Sequence, residues 1–526
     1  MKFTRLLIRS SKSRSSTEMP TGKDSIQSNL KQNIQKVKED LGNSSDIIFR
    51  EIPLSQSGGL VMGLIYTEGL TDQKIINDFV AETVMMDLTN QPEYLSSPSG
   101  LFQRLKDLAL TIGGIKDVTD FDTLYNSVLS GEAVILLDGY EQGVAVGVQG
   151  WKDRGINEPT TESTVRGPQE AFSETLRTNT ALIRRKIKDP NLWLESRQIG
   201  RVTKTDVAIM FIKGIASDEV IEEVRVRLDR IDIDSILESG YIEELIQDET
   251  YTPFPTIKNS ERPDVIAAEL LEGKVAILVD GTPFVLVVPA LFVSFLHAAE
   301  DYYQRADIST LVRILRYIGI FITLLAPSLY IAITTFHQEM LPTPLVLGLA
   351  AQREGVPIPA FIEALIMEVA FEVLREAGLR MPRAIGPAVS VVGTLVIGQA
   401  AVEAGIVSAA MVIVVAITAI SSFIFPSYSM SNTFRMLRFP MMGLAASFGL
   451  FGIFVGIIAI LLHVCSLRSF GVPYMSPFAP MIPVDQKDVI FRFPRWAMFT
   501  RPRLISQKNI TRGQKSPPQK PKPRRN

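Results

Sequence analysis

The chain is 526 residues long, room for several domains of about 150 residues each, and its 54 Lys and Arg against 56 Asp and Glu leave a net charge of −2. That balance excludes a bulk positive field, so no nucleic-acid partner is expected. The lone Cys465 excludes an internal disulfide framework and fits a reducing compartment. His297, His337 and His463 lie far apart, so neither a His/Cys metal site nor a Cys–His catalytic pair is expected. No phosphate loop, G-x-S-x-G or H-E-x-x-H occurs; neither an enzyme nor a cofactor is expected.

Charge is segregated along the chain. Residues 1–14 hold five basic side chains and no acid, and residues 485–526 hold twelve basic and two acidic ones, so the interior is acidic. Basic ends of this kind lie beside anionic lipid or stay solvated on the cytoplasmic side. No apolar core follows the basic start, so no secretory signal peptide is expected. Residues 1–46 are Ser/Lys/Gln-rich with few large apolar side chains, a composition that predicts disorder.

Two α/β subdomains of related topology are predicted next, at 47–152 and 200–300. Gly131-Glu-Ala-Val-Ile-Leu-Leu-Asp-Gly139 is echoed 142 residues later by Gly273-Lys-Val-Ala-Ile-Leu-Val-Asp-Gly281. Each reads as a strand running into an Asp-Gly two-residue hairpin turn, then a second strand. Leu60 to Tyr66, followed by Gly69 and Asp72, is matched by Val207 to Ile212, followed by Gly214 and Asp218; each strand leads to a capped helix. A connecting helical segment is expected at 153–199. Within it Arg166, Asn179, Arg184 and Arg185 are candidate subdomain-interface residues, with salt bridging favoured over anion binding.

A membrane domain is expected at 301–470. Charge-free runs occur between Arg316 and Glu339, Arg383 and Glu403, Glu403 and Arg435, and from Met441 to Val464, each near or above the roughly 20 residues a span needs. They place spans at 317–336, 384–402, 406–425 and 441–464, with a tight turn at Glu403-Ala404-Gly405. Both ends then lie on the cytoplasmic side. Arg435 and Arg438 conflict with that count, because four spans put them on the far side. Pro357 to Leu379 reads as an amphipathic helix, with Glu363, Glu368 and Glu372 as a candidate acidic vestibule if several copies gather round an axis. A basic cytoplasmic tail follows at 471–526. The fold class is therefore an α/β soluble region of two related subdomains followed by an all-α polytopic membrane domain.

Several stretches together resemble one family. Arg166-Gly-Pro-Gln-Glu-Ala-Phe172, Asn179 to Arg185, Glu261-Arg-Pro-Asp264, Arg375-Glu-Ala-Gly-Leu-Arg-Met-Pro382, Ile397-Gly-Gln-Ala-Ala-Val-Glu-Ala404 and Phe434-Arg-Met-Leu-Arg-Phe439 are similar to the A-subunit family of bacterial spore germinant receptors, over about residues 50–475. The resemblance implies a polytopic protein of the spore inner membrane with a large cytoplasmic N-terminal region. It also implies partnership with a transporter-like B subunit and a lipoprotein C subunit, and a role in turning nutrient detection into ion release. The preferred reading is an oligomeric conducting assembly for monovalent cations. Ser390, Thr394 and Gly398 form a small, weakly polar stripe beside apolar Val391 and Leu395, with Gln399 and Glu403 at its end; these seven are the candidate pore-lining residues. The alternatives are a non-conducting scaffold or a transporter-type component, the latter disfavoured because no internal repeat is evident within the membrane part.

Overall fold

A computed structural model describes residues 24–54, 61–78, 80, 113–150, 158–380 and 398–513, together with residues 102, 103, 106, 107 and 110. The chain divides into two units, residues 1–152 with 188–190, and residues 153–187 with 191–526.

The first unit holds a five-stranded antiparallel sheet. Its strands are β1 (Ile47–Pro53), β2 (Val61–Thr67), β3 (Ile115–Val118), β4 (Ala133–Leu137) and β5 (Gly143–Val146), in the order β1-β2-β4-β5-β3. The second unit holds β6 (Leu192–Ile199), β7 (Thr205–Ile212), β8 (Lys258–Ser260), β9 (Val275–Val279) and β10 (Val285–Val288), in the order β6-β7-β9-β10-β8. The two orders are identical, so the sequence echo is a structural duplication. Both sheets bury both faces, which is why β4 and β9 read as unbroken apolar runs rather than alternating ones.

The duplication starts earlier than the sequence reading allows. Residues expected to be disordered include α1 (Leu30–Asp40), whose Leu30, Ile34 and Val37, with Leu41 at its C-cap, are all buried against one face of the first sheet. Spacing of i, i+4, i+7 and i+11 puts all four on one stripe. Its counterpart α4 (Leu176–Lys186) does the same in the second unit. The segment expected to be a connector thus belongs to the second copy. A second helix in each copy, α3 (Phe121–Leu129) and α7 (Pro263–Leu271), covers the same face; α2 (Gln73–Asp78), and in the second unit α5 (Asp218–Asp229) and α6 (Ser239–Ile246), lie on the other.

The expected two-residue turns are also different. Leu136 pairs with Gly143 and Ile277 with Leu286, so the connections are longer, and only the glycines are left-handed, at φ +87° and +91°. The aspartates cap helices instead. Asp138 Oδ1 accepts from Leu30 N at 3.0 Å, and Asp280 Oδ1 accepts from Leu176 N at 2.9 Å. Gly139 N donates to Ser28 O and Gly281 N to Glu174 O, both at 2.7 Å.

The helical part of the second unit comprises α8 (Ala306–Thr335), α9 (Thr343–Arg353), α10 (Ala360–Arg380), α11 (Gly398–Glu403), α12 (Ala409–Ser422) and α13 (Tyr428–Ser466). Among the described residues, α8 and α13 are long and apolar enough to cross a membrane, and α12 is a shorter apolar helix. The run 284–297 forms β10 and a following 3-10 turn at Phe292–Phe295.

α13 is not one rod. Gly449 has φ 60° and ψ −139°, and a Cβ on Gly456 would lie 2.4 Å from Met441 Sδ, whereas fifteen residues of straight helix span roughly 22 Å. Phe254 touches both Phe434 and His463, at ring centroids 6.4 and 6.1 Å away. The chain therefore reverses at Gly449 into antiparallel arms, 428–448 and 450–466. The first arm begins and the second ends beside residues 252–254 of the second α/β subdomain, where Thr433 Oγ1 donates to Pro253 O and Thr252 Oγ1 meets His463 Nε2 at 2.8 Å. The expected single span at 441–464 straddles this reversal. Arg435 and Arg438 consequently sit toward the sheet end of the bundle, with Gly449 and His337 together at the far end.

Candidate functional site: the paired charges of the helix bundle

α10 runs antiparallel to the first arm of α13, and the two exchange charges. Glu368 accepts from Arg438 NH1; both residues are fully buried. Near the sheet end Glu372 accepts from Arg435 Nε at 2.9 Å, and Arg375 Nε approaches Glu372 at 3.3 Å while its NH1 reaches Tyr428 Oη at 3.2 Å. Arg435 NH1 also donates to Asn432 Oδ1 at 2.9 Å. The spacing explains the register: Glu368 and Glu372 are one turn apart on one helix, Arg435 and Arg438 nearly so on its antiparallel neighbour.

Arg438 has a second task. Pro327 lies inside α8 and has no N–H, so the carbonyl four residues earlier, on Thr323, has no helical donor. Arg438 Nε fills that position at 3.0 Å. One guanidinium therefore ties three helices together: α8 through a backbone carbonyl, α10 through a carboxylate, and α13 by its own stem.

At the other end of α10, Glu363 Oε1 accepts from Ser408 N at 2.6 Å and Ser408 Oγ at 2.5 Å, and Arg353 Nε lies 3.9 Å from its second oxygen. Ser408 is also the N-cap of α12. The expected acidic vestibule is thus redirected. Glu363 and Glu368 are enclosed within a single copy, because leaving a carboxylate unpaired in an apolar bundle costs far more than pairing it.

Of the candidate pore residues, Ser390, Val391, Thr394 and Leu395 lie outside the described residues. Gly398 is buried toward Val412 on α12, while Gln399 and Glu403 are exposed and hydrogen-bonded at 2.9 Å. Asn179 Oδ1 accepts from Ser173 N at 2.8 Å and its Nδ2 donates to Ser173 O at 2.6 Å, which Asn33 repeats on Gln27 in the first copy. Arg184 donates to Leu192 O at 2.7 Å, Arg185 lies 3.6 Å from Glu170, and Arg166 is exposed.

A second charged hub, missed in the sequence, joins α8 to the turn before it and to the C-terminal tail. Asp301 accepts from Arg313 Nε at 3.0 Å and from Arg316 at 2.6 and 2.9 Å. Arg313 NH1 reaches Asp488 Oδ1 at 2.8 Å, and Tyr302 Oη donates to Asp488 at 2.8 Å. Burial, reinforced by the Arg313 charge, holds the His297 imidazole well below its ordinary value, so it stays neutral. Beside this hub a cavity of about 630 Å³ is lined by Glu243, Asn259, Arg262, Arg316 and Phe425, among others. Burial pushes the Glu243 carboxyl up to about 7, against a weak hydrogen bond from Asn259. Among the described residues no His/Cys/Asp/Glu cluster suited to a metal occurs.

Fold and site together define a duplicated antiparallel α/β region joined to a helical bundle that is braced by internal ion pairs and built around apolar helices. The family model for Bacillus/Clostridium GerA spore germination protein matches residues 35–504. The chain is 50% identical to Spore germination protein KA of Bacillus subtilis (strain 168) over 95% of this chain and 90% of that one. It is 38% identical to Spore germination protein GerLA of Bacillus cereus over 92% and 97%, and 44% identical to the uncharacterized membrane protein YfkQ of Bacillus subtilis (strain 168) over 93% and 94%. A crystal structure of the N-terminal domain of the A subunit of the Bacillus megaterium spore germinant receptor GerK3 aligns at 43% identity and TM-score 0.42, covering 51% of this chain and 98% of that one. The chain belongs to the GerA family, the A subunits of spore germinant receptors.

Proposed function

We propose that this A subunit transduces nutrient detection into ion release across the spore inner membrane, as a cyclic homo-oligomer that conducts monovalent cations and works with a transporter-like B subunit and a lipoprotein C subunit. The observation that carries the reading is the position of the arm 428–448. At its sheet end it is held to the second α/β subdomain through Thr433 and Phe434, and within about the next turn it grips α10 and α8 through Arg435 and Arg438. A displacement of the subdomain is thereby passed to three helices at once, which is the physical continuity a transducer requires.

The bundle supports a multi-pass topology with both ends on one side. α8, α10, α12 and the two arms of α13 each run along the bundle, and the charge-free 384–402 segment supplies the remaining traverse, an even total of six. Arg305, Arg313, Arg316, Arg435 and Arg438 then share the cytoplasmic end, in accord with the positive-inside bias. We assign the pore to 384–402, with Ser390, Thr394 and Gln399 as its water-facing residues and Val391 and Leu395 closing the path by dewetting. Mass measurement of the detergent-solubilised chain tests the assembly. A closed ring of identical copies is expected; one copy per complex would contradict conduction and favour a scaffold.

A further inference from the structure

We infer that Phe491-Arg492-Phe493-Pro494-Arg495-Trp496 is an interfacial anchor that docks on anionic phospholipid headgroups beside the start of α8. The inference rests on the spanning topology proposed above.

The segment is fixed in place. Asp488 is held by Arg313 and Tyr302, and Arg492 N donates to Thr310 Oγ1 at 3.1 Å, which sets the segment against the first turns of α8. There the helix exposes Ile308, Leu311 and Leu315, and the segment exposes Phe491, Phe493 and Trp496. Aromatic rings level with the beginning of a lipid-facing apolar helix surface occupy the depth at which Trp and Phe partition into the headgroup boundary.

The charge supplies the choice of occupant. Residues 485–512 carry seven cations against Asp485 and Asp488, and Asp488 is consumed by Arg313. Arg495 is exposed, and its guanidinium lies 5.9 Å from the Tyr302 ring centre. Arg492 is 7% exposed; its guanidinium reaches the carbonyls of Gln304 and Tyr302, at 3.5 and 3.4 Å, and lies 5.9 Å from the Tyr302 ring centre. Lys508 and Arg512 are paired with Asp218 and Glu272, whereas Arg495 has no ion pair among the described residues; an exposed cation interleaved with exposed rings at the membrane edge fits a lipid phosphate surface, and an acidic protein partner is the alternative the test separates.

The test uses the full chain in lipid nanodiscs with Trp151→Phe and Trp193→Phe, so that Trp496 is the sole tryptophan. With phosphatidylglycerol present, Trp496 emission should shift to the blue, be quenched by brominated acyl chains and resist acrylamide. Arg495→Glu, or discs of phosphatidylcholine alone, should lower the engaged fraction roughly fivefold or more, the scale for losing a cation at an anionic surface. Trp496 that is acrylamide-accessible in all lipids, or equally buried with and without phosphatidylglycerol, overturns the inference. A control with Trp496→Phe and Phe454→Trp, which places the probe on the exposed face of the arm 450–466, isolates the premise. Bromine quenching of that probe with none of Trp496 rejects the anchor alone, whereas quenching of neither rejects the spanning topology.

Discussion

Replacing Arg438 by Met isolates the energetics of the bundle. In the native chain Arg438 and Glu368 are both 0% exposed, so the substitution leaves a carboxylate without its partner in an apolar interior and strips the guanidinium donor from Thr323 O. Breaking one side of a buried pair costs about 3–5 kcal/mol, a large fraction of the roughly 5–15 kcal/mol that holds a domain folded. The double variant Glu368→Leu/Arg438→Met removes both charges and retains only the orphaned carbonyl, a penalty of about 1–3 kcal/mol. The single Met variant should therefore be less stable than the double, with a coupling of at least about 2 kcal/mol in the full cycle. Pro327→Ala restores the missing N–H, so it should recover about 1 kcal/mol in the Arg438→Met background while helping little in the native chain, where Arg438 already serves Thr323. Graded denaturant unfolding of the full chain in detergent micelles measures all of these. A cost below about 1 kcal/mol for Arg438→Met, or a double variant no more stable than the single, would refute the assignment of a buried pair.

Gly139→Ala and Gly281→Ala should each cost about 1–2 kcal/mol, because both positions are left-handed and no neighbour crowds the new methyl; melting temperatures unchanged in both would deny that backbone strain decides there. Glu243 keeps its proton up to about pH 7 in the folded chain but loses it near 4.5 when unfolded, so stability is greatest below 4.5 and falls as pH climbs to 7, by at most about 3 kcal/mol. Glu243→Gln should flatten that part of the pH profile of thermal unfolding and raise stability at pH 8. Cysteines introduced at Ser427 and Phe448 should label from opposite sides of the membrane, since the chain turns back at Gly449; labelling from one side would contradict the two-arm arrangement.

The duplication was legible because both sheets are buried on two faces, which leaves unmistakable apolar runs ending in Asp-Gly. What those two residues do was not, because Asp138 caps a helix that starts at Leu30, a partner more than a hundred positions away. Local turn chemistry and long-range capping use the same residue pair. The α1 helix was hidden by its polar majority: only four residues of its stripe are apolar, and composition averages them away. In the bundle, counting charge-free residues treated Arg435 and Arg438 as boundaries. Their charges are matched by Glu372 and Glu368, so the helix continues through them, and the true boundary, Gly449, sits silently inside an apolar run. The acids on α10 and the arginines on α13 were each visible; their pairing depends on the reversal that brings the helices side by side.

Ion flux through proteoliposomes carrying the purified chain tests the central claim most directly. Val391→Ala and Leu395→Ala, which widen the assigned constriction, should raise basal potassium leak, and Glu403→Gln should change the conductance, all three with the oligomeric state of the native chain. Flux indistinguishable from protein-free vesicles in the native chain and in all three variants, with assembly intact, would contradict conduction by this subunit.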